Sequence, residues 1–283
     1  MPIGIHIQQR LVSNAYVITQ QIYINTMTTN KPQQLRWNLG NVKLPTRVHH
    51  FSLPSGHSCP AALECLSKAD QDTGKITDGK FTEFRCFAAM QEARHSHVRK
   101  LRWTNFTLLR KKSKKQMFTM LMASLRPHHD RYIKNHDQNP IIRAHVGGDF
   151  FNQSYFLAWM DLARAFSPTW FYAYTKRLDL WVKHMDIIPS NFELNASRGG
   201  MHDKLIKQHN LKSAEVVYSR DEAKQKGLEI DHDDSKAYKR GPSFAQLIHG
   251  TQPAGSKASK ALTLLKLSEN WTGYNSNSKS MSA

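Results

Sequence analysis

Cysteine is scarce in this 283-residue chain, with three residues that all fall between positions 59 and 86. A small, odd number excludes a secreted disulfide framework and leaves burial or chemistry as their role. No apolar run approaches the ~20 residues needed to cross a bilayer. The first 26 residues break up their Ile and Val with Gln and Asn, which spoils a signal-peptide core. We therefore expect a cytoplasmic protein with no membrane partner. Also missing are a P-loop, a G-x-G-x-x-G after a strand, a G-x-S-x-G and an H-E-x-x-H, so dinucleotide enzymes, hydrolase triads and zincins are poor fits. Acidic side chains are few, 22 against 40 Lys and Arg, and the formal net charge is +18.

That charge is concentrated. Residues 94–134 hold 12 basic and 1 acidic side chains, whereas residues 135–250 hold 15 and 14. A stripe of this density neutralises phosphates and releases counterions, so nucleic acid is the expected partner, held by Arg94, Lys100, Arg102, Arg110, Lys111, Lys112, Lys114 and Lys115. Its bland counterpart is a solvated helix face with a lysine-rich loop. Trp103 and Phe106 lie within the stripe at a spacing that suits the buried side of the same helix.

With 40% hydrophobic residues the chain can bury a core. Residues 1–34 are expected to be a disordered extension, with translation starting at Met27. Residues 35–255 form a single α/β domain that includes the basic helical segment 94–134. Residues 256–283 read as a C-terminal helix followed by a disordered tail from Trp271. In the middle of the chain strand-like and helix-like segments alternate. Strands are expected at Ile141–Val146, Thr169–Tyr174, Phe192–Ala196, Val216–Tyr218 and Leu228–Ile230, with amphipathic segments between them. Repeated βα units imply a parallel sheet, doubly wound or rolled into a partial (β/α) barrel, with ligands at the carboxyl ends of the strands. The polar residues expected there are His145, Asp149, Thr175, Lys176, Ser197, Arg198 and the run Asp231-His232-Asp233-Asp234.

Cys59, Cys65 and Cys86 precede these units. Pro60 and Gly56 mark a loop, and His57 offers a fourth ligand, so a zinc site is one reading, although five-residue spacing lies outside the usual range. An iron–sulfur cluster on three thiolates is another. Gly147-Gly148 and Gly199-Gly200 would let backbone amides approach a phosphate, or simply make tight turns.

The Phe51–Cys65 run, Phe84-Arg85-Cys86-Phe87-Ala88, His145–Phe151, Phe171–Lys176, Ala196–Gly200 and His249–Gly255 together resemble the phage gene product 88 family over about Leu35 to Gly255. That resemblance implies a phage or mobile-element context within a bacterial host and brings no reaction with it. In outline, Cys86-Phe87-Ala88, Asp149, Thr175-Lys176 and Ser197 are also similar to phage three-Cys-motif proteins of the gene-product-37/68 kind, which are radical-SAM-like. The spacing of 5 and 20 residues between the cysteines departs from the compact radical-SAM pattern. The second resemblance implies an Fe–S cluster used with S-adenosylmethionine.

Two functions follow as expectations. One is a metal- or Fe–S-dependent enzyme acting on or near nucleic acid, with Asp149, Lys176, Arg198 and Asp233 in the strand-end pocket, Cys59, Cys65, Cys86 and His57 as metal ligands, and His145, Thr175, Ser197 and His232 beside them. A nuclease version places magnesium on Asp231, Asp233 and Asp234. The other is a non-catalytic DNA-binding protein for a mobile element; a rolling-circle initiator is a poor fit, since His95-Ser96-His97 has the histidine spacing but a polar centre and nothing singles out Tyr238 or Tyr155 as its nucleophile.

Overall fold

The computed structural model describes residues 34–41, 43–271 and 273–274. The expectations for residues 1–33, including a start at Met27, lie outside the described residues. An eight-stranded sheet organises the domain. Its strands are β1 (Asn38–Leu39), β2 (Val48–His50), β5 (Ile141–Arg143), β6 (Trp170–Thr175), β7 (Phe192–Ser197), β8 (Ser213–Val217), β10 (Phe244–Leu247) and β9 (Glu229–Ile230), in that spatial order. Within this sheet only the β1–β2 pair is antiparallel. A separate hairpin joins β3 (Ser67–Ala69) to β4 (Ile76–Asp78).

From β2 through β8 the parallel strands follow one another without reversal, and the order turns back once, where β10 returns to lie between β8 and β9. Among the described residues β1 and β9 remain edges, and the sheet does not close into a barrel. The expected strands are present to within a few residues. β10 is additional to them, and it separates β8 from β9.

Helices α1 (Phe87–Arg94), α2 (Ser96–Leu109) and α3 (Lys114–His136) occupy the long β4–β5 connection, as the charge-rich segment predicts. A capping box between Ser113 and Gln116 starts α3. After β5 comes α4 (Gln153–Ala165), whose Asn152 side chain caps the Tyr155 amide at 2.8 Å. The later connections carry α5 (Leu178–Lys183), α6 (Lys204–Gln208), α7 (Arg220–Gln225) and α8 (Ser235–Tyr238). The last helix, α9 (Lys257–Glu269), is capped by Ser256.

Side chains alternate across the strands and divide the sheet into two unlike faces. Ile142, Phe171, Ala173 and Leu194 pack with Phe156, Trp159 and Met160 of α4 and Leu121 and Leu125 of α3 in the main core. On the opposite face Ile141, Tyr172, Ala214 and Phe244 meet Ala237 of α8. Arg143 and Tyr174 share that second face, and this charged, aromatic lining frames one of the two centres below.

The expected tail is corrected at its start. Trp271 is buried and donates its indole N–H to the Ile248 carbonyl at 3.1 Å, and the Tyr274 hydroxyl accepts from the Leu247 amide at 3.0 Å. Both aromatics dock because the β10 exit loop leaves an apolar seat and two backbone polar groups to satisfy.

Candidate functional site

The first centre lies at the carboxyl ends of β6 and β7. Cys65 and Cys86 line one cavity of about 100 Å³ together with Lys176, Ser197 and Arg198. Cys59 lies within electrostatic reach of Cys65, Cys86 and Asp149, and its sulfur accepts the Gly56 amide at 3.3 Å. Burial pushes the Cys65 thiol up to about 11 against the pull of Lys176. Burial likewise raises the Cys59 thiol, with the Asp149 charge adding to it.

A backbone clasp holds the cysteine loop on the sheet. The Gly199 carbonyl accepts both the Leu63 and Glu64 amides at 3.1 Å. Gly199 has φ +87°, and a Cβ there would come within 2.7 Å of the Glu64 carboxylate. The glycine pair therefore serves close packing. Its amides go to Asp203, at 2.8 and 3.0 Å, and not to a phosphate.

Asp149, Thr175 and Lys176 do come together. The Asp149 carboxylate accepts the Phe150 amide and the Thr175 hydroxyl at 2.7 Å and the Lys176 amide at 2.8 Å. Burial raises its pKa, opposed by these hydrogen bonds. Asp149 thus fixes the end of β6 and positions Lys176. The Lys176 ammonium donates to the Ser197 carbonyl at 3.1 Å, the Ser197 hydroxyl at 3.0 Å and the Arg198 carbonyl. Three acceptors match the three donors of an ammonium, so Lys176 ties β6 to β7 rather than waiting for an anion. Arg198 is half exposed and lies 3.5 Å from Glu215.

Other expected members lie elsewhere. His145 is in the core: its Nε2 lies 3.1 Å from the Tyr155 hydroxyl, and burial lowers its pKa to about 3. His57 has its Nε2 3.0 Å from the Ala69 carbonyl and its ring against Trp103, so it is already engaged outside the cysteine cavity. Among the described residues no group of three or more His, Cys, Asp or Glu stands close enough to enclose one metal ion. A tetrahedral zinc with Zn–S of about 2.3 Å would require that closeness, so the side chains as placed do not fit it. Asp233 accepts the Ser235 amide at 3.0 Å in the turn before α8. His232 is half-buried beside Tyr274.

The second centre, on the opposite sheet face, gives the expected Asp231 and Asp234 partners other than those the sequence reading supplied. Asp234 accepts from the Arg143 guanidinium, from Lys43 Nζ at 2.7 Å and from the hydroxyls of Tyr172 and Tyr174 at 2.8 and 3.3 Å. Burial disfavours this charge, but Arg143 and Lys43 outweigh burial and hold the carboxyl far below the usual range. Asp231 is pushed the other way, by burial; it accepts the Asp234 and Lys236 amides at 3.0 Å and stands 3.7 Å from Lys43. The two carboxylates are thus committed to buried cations and turn amides, which removes the magnesium–nuclease reading.

The basic stripe is corrected at one residue. Arg102 is buried, 2.7 Å from Glu92 and bonded to the Ala88 carbonyl and Gln91, because α2 turns this side toward α1. Arg94, Lys100, Arg110, Lys111, Lys112, Lys114 and Lys115 are exposed. Tyr155, named for a rolling-circle initiator, is fully buried.

A family model for gene product 88 matches residues 19–265. The chain belongs to the gene product 88 family. No curated protein and no solved structure matches it. In this gene product 88 protein the motifs at Phe51–Cys65, Phe84–Ala88, Phe171–Lys176 and Ala196–Gly200 assemble around the first centre. His249–Gly255 lies beside both, since Gln252 exchanges hydrogen bonds of 2.7 and 3.1 Å with the Arg85 backbone next to Cys86. His249 borders the cysteine cavity and also a cavity of about 420 Å³ beside Arg143 and Lys43.

Proposed function

We propose that this gene product 88 protein is an iron–sulfur enzyme acting on nucleic acid. What supports the reading is that Cys65 and Cys86, scattered in sequence, line one cavity at the carboxyl edge of a parallel sheet, with Cys59 within electrostatic reach of both. That edge is where open α/β sheets hold their ligands. In a cluster each thiolate binds a different iron, so the sulfurs need not crowd together as around one ion. Cys59, Cys65 and Cys86 would hold it. With S-adenosylmethionine such a cluster supplies one-electron chemistry. Asp149, Thr175 and Lys176 keep the strand ends in place beside it. The exposed cations from Arg110 to Lys115 are suited to a phosphate backbone.

Iron, sulfide and zinc analysis of anaerobically purified and reconstituted protein tests the reading, with the visible absorption spectrum. We expect iron and sulfide together, lost in Cys86→Ser without loss of the fold. A folded protein that takes up neither after reconstitution overturns it.

A further inference from the structure

The 420 Å³ cavity on the second sheet face is within the range of about 300–1,000 Å³ usual for small-ligand sites. Its walls are specific in kind. Phe87, His249 and Tyr274 form an aromatic side, with ring centroids 5.0 Å apart for Phe87–His249 and 4.8 Å for His249–Tyr274. Gln246 donates its Nε2 to the Tyr174 hydroxyl at 3.1 Å, which leaves Oε1 as an acceptor among the described residues. Gln91 accepts from Arg102 at 2.8 Å through Oε1, which leaves its Nε2 as a donor. The His249 Nδ1 lies 3.0 Å from the Leu247 carbonyl; a carbonyl only accepts, so Nδ1 carries the hydrogen and Nε2 offers a lone pair. Burial lowers the His249 pKa to about 4, so the ring is neutral near pH 7.

The charges in the wall cancel. Arg143 and Lys43 face Asp234 and Asp231, so among the described residues no cation lining the cavity is left without a carboxylate to draw a phosphate inside. A flat, uncharged molecule with donors and acceptors along one edge fits this wall. The cavity's two neighbours say how it would arrive. A shallower depression of about 200 Å³ shares Phe87, Gln91, His249 and Tyr274 and is bordered by exposed Arg94, and the cysteine cavity shares Phe87, Gln246 and His249.

We infer that this cavity receives a single nucleobase turned out of its strand, stacked on the aromatic side and read by Gln91, Gln246 and His249, with its phosphates left outside near Arg94. Enzymes that work on bases take them out of the stack into such pockets. The ligand class follows from the wall; its role as the substrate of the cysteine centre rests on the function proposed above.

Ligand-observed NMR titrations of the purified full-length protein with adenosine, guanosine, cytidine, thymidine and ribose 5-phosphate test the inference. At least one nucleoside should saturate and ribose 5-phosphate should not. Gln246→Leu and Phe87→Leu should each weaken nucleoside binding by about tenfold, the scale of a single stacking or hydrogen-bonding interaction. Gln91→Leu, on an exposed position, replaces either variant that fails to fold. Three outcomes overturn the inference: no nucleoside saturating, ribose 5-phosphate binding alone, or full nucleoside binding retained by the folded variants. Nucleoside binding by protein that takes up no iron supports the inference while sinking the iron–sulfur reading, and iron uptake without nucleoside binding does the reverse.

Discussion

Replacing Asp234 with Asn removes one charge and turns one of its two acceptor oxygens into a donor that faces a cation. Asp234 has φ 65°, a left-handed conformation that Asn tolerates as well as Asp, so the turn into α8 is preserved. The carboxylate is fully buried, and the side chains of its two cations, Arg143 and Lys43, are 8% and 15% exposed. A single pair at about 4 Å with an effective dielectric near 20 contributes about 4 kcal/mol. Lys43 keeps Asp231 at 3.7 Å after the change, so Arg143 is the cation left uncompensated. The expected loss is that of breaking one buried pair, about 3–5 kcal/mol. For a domain of this size that lowers the melting temperature by roughly 6–20 °C. Urea unfolding followed by far-UV circular dichroism measures it directly. The pH dependence supplies a second check. A carboxyl held low in the fold contributes stability that is complete above its unfolded pKa of about 3.9 and is lost as pH falls through the folded value. The gap between wild type and variant should therefore be full at pH 7 and shrink in strongly acid solution. A loss below about 1 kcal/mol at pH 7, the size of a solvated surface pair, would refute the account of a buried, charge-balanced wall.

Two further changes separate surface from interior. On the proposed function, the quadruple Gln variant of Lys111, Lys112, Lys114 and Lys115 should reduce the salt dependence of binding to a DNA duplex, by about 0.9 in log–log slope for each phosphate left without its lysine, with the melting temperature unchanged. Arg102→Gln, which leaves Glu92 buried and unpaired, should do the opposite: it costs about 3–5 kcal/mol on unfolding and leaves the slope alone. Fluorescence titrations across a salt series decide both, and a slope that responds to Arg102 would overturn its assignment to the interior. Trp271→Ala should cost about 3–5 kcal/mol and weaken the near-UV dichroism of the docked Tyr274; a variant as stable as wild type would mean that the segment after α9 carries no packing energy.

The middle of the fold is legible in the sequence because its strands are short apolar or aromatic runs bounded by turn residues, the pattern of parallel strands covered on both faces. In Trp170–Thr175 and Phe192–Ser197 the apolar residues on one face meet helices whose own apolar spacing is equally regular. β2 is hidden because two of its three residues are His49 and His50, both buried, which no propensity favours in a strand. β10 is hidden by its four-residue length and by its insertion between β8 and β9. Of the candidate site, the strand-end group Asp149, Thr175, Lys176, Ser197 and Arg198 is readable, since strand ends can be counted along the chain. Their roles are not readable: that Asp149 is held by three donors and the Lys176 ammonium by three acceptors depends on neighbours fixed only by packing. Arg102 looks like its exposed neighbours for the same reason. One signal for the second centre is present in the sequence: Arg143 closes an otherwise apolar Ile-Ile-Arg strand, and a cation in that place calls for a buried anion.

The clasp at the Gly199 carbonyl has a mechanical meaning. One oxygen holds the two amides immediately before Cys65, and the carbonyls of the two residues preceding Gly199, Ser197 and Arg198, are gripped by the Lys176 ammonium. The thiol, the end of β7 and the end of β6 therefore move as one piece. A ligand that displaced Lys176 would be felt at Cys65 without touching it, so occupancy of the strand ends and the geometry of the thiols are coupled through a single turn of backbone.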